Sequence, residues 1–148
     1  MISVARPVMA LALGLTVVGI GYRIDRPDGS SKALGPGEVT VEIDIEHSRF
    51  LPDELEVREG TLVRFVLHNE DPIRHEFVLG PAEVHARHAT GTEATHPPVP
   101  GEVSLDPGET AETIYLFEEA GHLEYVCHLP KHAQYGMRGA VHVTDDSK

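Results

Sequence analysis

The sequence predicts an all-β protein, an antiparallel Greek-key β-sandwich with a long loop at about residues 80–101. Three observations carry this: short segments alternate apolar and polar residues, turn formers separate them, and helical periodicity is scarce. The clearest segment, Val39-Thr-Val-Glu-Ile-Asp-Ile45, has the period of a half-buried strand and turns Val39, Val41, Ile43 and Ile45 toward a core. The same habit returns at 54–57, 61–68, 74–79, 110–117, 122–127 and 139–143. Turns fall at Glu59-Gly60, Asn69-Glu-Asp-Pro72, Asp106-Pro-Gly108 and Ala120-Gly121. Residues 80–101 break the rhythm and read as a surface excursion, with one helical turn around residues 83–88.

A chain of 148 residues, 41% hydrophobic, suffices for one domain with a sizeable core and is short for two. Its formal charge is −12; beyond Arg6 and Arg23 of the first 24 residues, ten cations face 24 acids, so residues 25–148 carry −14. Phosphate binding is built on Lys and Arg, so nucleic acid is a poor partner, and a basic protein suits this surface better. Arg6 precedes an uncharged apolar run from Pro7 to Tyr22, which makes residues 1–24 an export segment, either a signal peptide or an N-terminal membrane anchor. The length of the run favours cleavage, and the lack of an Ala-x-Ala site favours an anchor. The expected location is extracytoplasmic, in the periplasm or on the outer face of the cytoplasmic membrane. Residues 25–37, rich in Gly, Pro and Ser, form a flexible linker, and residues 38–145 form the folded domain.

Cys127 is the only cysteine, so it makes no internal disulfide, and a lone thiol in an exported chain points to metal ligation. His132 follows five positions later and Met137 five after that. Thiolate, imidazole and thioether from one loop are the soft and borderline ligands that copper prefers over magnesium, calcium or manganese. A trigonal His2Cys plane with a weak axial Met needs a second imidazole, and His75 is the best placed of ten histidines, at a strand start just after the Asp71-Pro72 turn. Leu123, Tyr125 and Cys127 share one strand face, which puts apolar side chains beside the thiolate.

With these residues in place the chain resembles the cupredoxins, the small blue-copper family of plastocyanin, pseudoazurin and azurin, over roughly residues 38–144. Residues 50–65 are similar to the family's second and third strands. The resemblance implies one type 1 copper bound by His75, Cys127, His132 and Met137, and single-electron transfer to a redox partner, possibly basic. It implies His132 as electron port within a patch of Pro130, Ala133, Tyr135 and Gly136. The nearest likeness is to exported bacterial cupredoxin-like proteins linked to copper handling, so the alternative function is copper homeostasis or resistance, by sequestration or delivery. Glu76 departs from the asparagine that often follows the family's first histidine. Cys127-His128 resembles a multicopper-oxidase motif, but the chain has no His-x-His pair. With no nucleophile or substrate pocket indicated either, an enzyme is not expected.

A structural zinc site is a third reading, weakened because methionine is a poor zinc ligand. His128 points away from Cys127 and reads as a surface or hydrogen-bonded histidine. His85, His88 and His96 could capture copper or bind zinc, although a solvated loop that merely tolerates histidine is the plainer reading. His47, His68, His122 and His142 carry no functional expectation.

Overall fold

The computed structural model describes residues 33–90 and 98–145. The leader, linker residues 25–32 and His96 lie outside the described residues. Among the described residues, nine strands and one α-helix follow one another: β1 Gly37–Glu46, β2 Arg49–Leu51, β3 Glu54–Arg58, β4 Thr61–Asn69, β5 His75–Gly80, α1 Ala82–Ala89, β6 Glu102–Leu105, β7 Thr110–Phe117, β8 Gly121–Val126 and β9 Arg138–Thr144. They form two sheets of a cupredoxin-like sandwich, ordered β2-β1-β4-β7 and β3-β9-β8-β5-β6.

Alternation decides which side chains meet between the sheets. Val41, Ile43 and Ile45 of β1, Val63, Phe65 and Leu67 of β4, and Phe77 and Leu79 of β5 are buried in one cluster with Tyr125, Cys127 and Met137. Phe50 packs edge-on against Phe77 and Tyr125, with ring centroids 5.7 and 5.4 Å away. Such pairs add about 0.5–1.5 kcal/mol each beyond area burial. Tyr125 donates its hydroxyl to the Pro52 carbonyl at 2.7 Å, so its polar end is satisfied. Opposite it in register stands Gly139, where any Cβ would overlap the Tyr125 ring.

The pairing is not uniformly antiparallel: β1 runs parallel to β4, and β3 parallel to β9. The chain leaves the first sheet between β2 and β3 and returns at β4, which therefore lies beside β1 in the same direction. β2 and β6, at three and four residues, are too short to show a period and are absent from the sequence-based strands. The end of the expected linker is held: the Leu34 N–H donates to the Glu56 carbonyl at 2.8 Å, and its own carbonyl accepts from the Arg58 N–H at 2.9 Å.

Residues 80–101 differ most from expectation. The single expected turn is an eight-residue helix, α1, packed against β5. All six residues of β5 are buried because the core covers one face and α1 the other. Gly80 makes room for this: a Cβ there would come within 3.0 Å of Val84 Cγ2.

Candidate metal centre

β5 begins at His75 and alternates inward through Phe77 and Leu79, while β8 turns Tyr125 inward, with Cys127 next on the same side. β5 and β8 pair in the second sheet, which brings the first histidine and the thiol to one end of it. His132 enters from the loop beyond β8, where it begins a 3-10 turn, Ala133–Tyr135. Gly136 closes that turn at φ 90°, a left-handed conformation that favours glycine, and Met137 follows fully buried. The Cys127 N–H donates to the Met137 carbonyl at 3.2 Å, and the Met137 N–H to the His132 carbonyl at 3.0 Å. The loop thus closes on itself between its two sulfur residues.

The ligand atoms of His75, Cys127 and His132 all lie within 4.8 Å of one another. His75 Nδ1 is 3.2 Å from His132 Nδ1, and Cys127 Sγ is 3.3 Å from the same nitrogen. A trigonal plane with metal–nitrogen and metal–thiolate bonds of about 2.0 and 2.3 Å separates its ligand atoms by about 3.5–3.7 Å. The two spacings to His132 Nδ1 fall within about half an ångström of that, and the three ligand atoms lie close enough together for these side chains to fit a copper ion.

His75 is oriented by Asp71, whose Oδ2 lies 2.8 Å from Nε2. With Nε2–H donating to a carboxylate, the lone pair sits on Nδ1, the nitrogen that faces His132 and Cys127. Asp71 is itself fixed by the backbone N–H groups of His47 and Ser48, each at 2.8 Å, from a turn where both residues have φ of 52°. Burial works to raise the Asp71 pKa, but these N–H groups and His75 outweigh it and hold the carboxyl below its ordinary range. Burial lowers the His75 pKa, opposed by Asp71 and reinforced by His132, so the ring favours the neutral, ligating form. Burial also pushes the Cys127 thiol up to about 11, although the N–H groups of Glu76 and Leu129 oppose it. Ligation requires the thiolate, so a bound cation replaces that proton.

Glu76, the departure from the family's frequent asparagine, still anchors the loop, because its Oε1 accepts the His128 backbone N–H at 2.8 Å. Of the four residues named from the sequence, the fold brings His75, Cys127 and His132 together, and Met137 lies buried on the loop that carries the last two. Sequence reasoning missed Asp71, which reads as a turn former until the β1–β2 turn is folded over it. The four-residue spacing from Asp71 to His75 was the available signal.

On the opposite face of the sheet, the solvated-loop expectation for His85 and His88 does not hold. Helix α1 lays both against the sheet: His85 Nδ1 is 3.0 Å from His128 Nε2, and buried His88 places Nε2 2.9 Å from Glu102 Oε2. His128 is hydrogen-bonded and faces away from Cys127, as expected. Of the anticipated surface patch, His132 is half-buried and Tyr135 is 68% exposed.

Comparison with known proteins agrees with this geometry. The family model for copper binding proteins of the plastocyanin/azurin family matches residues 37–144. The chain belongs to that family. This copper-binding cupredoxin is 34% identical over 121 residues to the copper-resistant cuproprotein CopI of Rubrivivax gelatinosus, covering 79% of this chain and 73% of the relative. A second CopI, from Pseudomonas aeruginosa, is 32% identical over 136 residues, covering 70% of this chain and 75% of the relative. Among solved structures, auracyanin A, a blue copper protein of Chloroflexus aurantiacus, superposes with a TM-score of 0.57 at 27% identity, over 72% of this chain and 99% of that one. The cupredoxin fold expected from the residues is therefore the fold observed.

Proposed function

We propose that the protein is an extracytoplasmic, non-enzymatic copper protein of copper homeostasis or resistance, holding one ion at a type 1 site formed by His75, Cys127, His132 and Met137. The observation that carries this reading is the convergence of His75, Cys127 and His132 in a chain whose curated relatives are described as copper-resistant cuproproteins. Those relatives favour copper handling over electron transfer, which the residues alone had put first.

Copper supplies a one-electron couple when bound. The chain's own contributions are separable: Asp71 orients His75, the Phe50, Phe77 and Tyr125 cluster excludes water on the core side, and the Cys127-to-Met137 hydrogen bond fixes the loop. Met137 would supply a thioether to a bound copper, and its full burial on the ligand loop supports the assignment.

Growth of a copper-sensitive bacterial host on rising copper tests the role. Expression of the full chain is expected to extend growth, and Cys127→Ser to abolish the gain; identical growth with and without the protein would overturn it. Electron transfer to a basic redox partner is the second reading, favoured by half-buried His132 beside exposed Tyr135.

A further inference from the structure

We propose that His85, His88 and His128 form a second metal site on the outer face of the sheet, taking a first-row ion of borderline softness, copper or zinc. The site goes beyond the type 1 reading and shares none of its ligands. It is assembled by topology: β8, β5 and β6 are neighbours, so His128 after β8, Glu76 on β5 and Glu102 on β6 converge beneath α1. His85 and His88 lie one helical turn apart, on the same side of α1.

Two features fit a cation. First, His85 Nδ1 and His128 Nε2 face each other at 3.0 Å, and opening that gap to about 3.3 Å accommodates a tetrahedral ion with bonds of about 2.0 Å. Second, Glu102 Oε2 accepts a hydrogen bond from His88 Nε2–H at 2.9 Å, which leaves the lone pair on Nδ1, the carboxylate–histidine arrangement that orients metal ligands. That Nδ1 lies 3.9 Å from Glu76 Oε2, so a lone pair faces a carboxylate, a placement that a cation between them relieves. The rings of His88 and His128 stack with centroids 5.9 Å apart, which keeps the third imidazole beside the facing pair.

Plain hydrogen bonding offers a competing account, in which His88 is an imidazolium bridging Glu76 and Glu102 and no second ion binds. Another competitor is the exposed cross-strand pair of His122 and His142, with ring centroids 4.3 Å apart. Titration of the full chain with cupric ion, read by bound metal per chain and by electron paramagnetic resonance, separates these. Two ions per chain are expected, the second without thiolate character. His85→Ala should reduce the count to one and leave the thiolate absorption band unchanged, whereas His122→Ala should retain two. His85→Ala leaves the hydrogen bond between His88 and Glu102 in place, so α1 keeps its anchor. One ion in the parent chain, or a second ion lost with His122→Ala and kept with His85→Ala, would overturn the proposal. A second ion that depends on His85 in a protein lacking the thiolate band would uphold this site and refute the inner one.

Discussion

The two faces of the β5–β8 pair carry two histidine clusters built on opposite terms. Consecutive residues supply both: His75 and Cys127 point inward, whereas Glu76 and His128 point outward. Inside, Asp71 orients His75, the ligand loop closes on itself through backbone hydrogen bonds, and the aromatic core packs beside Cys127. Outside, the histidines are held by a two-turn helix, by one another and by Glu76 and Glu102. A strand that alternates its side chains can therefore serve a rigid site and an adaptable one, and each can be perturbed separately.

The largest separation should come from Gly139→Ala. Its Cβ has no room beside Tyr125, and overpacking of this kind costs about 3 kcal/mol at the upper end of the usual range. Denaturant unfolding should record that loss together with weakened copper binding at the inner site. Next comes Asp71→Asn, which removes the carboxylate that orients His75 and should lower inner-site copper affinity by about 10–100-fold. Chelator competition measures this, and the outer cluster should not respond.

The third prediction is a pH effect in which His128 on the outer face acts in the same sense as the buried His75 inside. Unfolded, His128 titrates near about 6.5; folded, it is held at about 4 by burial, His85, His88 and Arg138, with Glu76 and Glu102 also facing the cluster. Between those values the unfolded chain binds a proton that the folded chain lacks, so this stability is complete above about 6.5 and is lost as pH falls toward 4. Apoprotein melts should lose on the order of 2 kcal/mol across that window, and His128→Gln should flatten the slope. The smallest effect is Glu76→Gln, which weakens the tie to the His128 N–H by about 1 kcal/mol and should be felt at both faces. A change at only one face would break the link between them.

Legibility in the sequence followed the same divide. Strand period and the spacing of Cys127, His132 and Met137 revealed the sandwich and the inner loop, because both are written in local order. β2 and β6 were too short to show a period. Asp71 became visible only when the turn at His47 and Ser48 closed over it, from 24 residues away. The outer cluster needed still more: α1 carries His85 and His88, β6 supplies Glu102 and the ligand loop His128. Nothing in their separate sequence contexts joins them. His88 in particular looks solvated until α1 is laid on β5 and its ring meets Glu102.

Visible absorption and electron paramagnetic resonance of residues 25–148 loaded with cupric ion test the central claim most directly. An intense thiolate-to-copper charge-transfer band that disappears in Cys127→Ser is the predicted result. Colourless protein in which the Cys127 thiol is still titratable would contradict it.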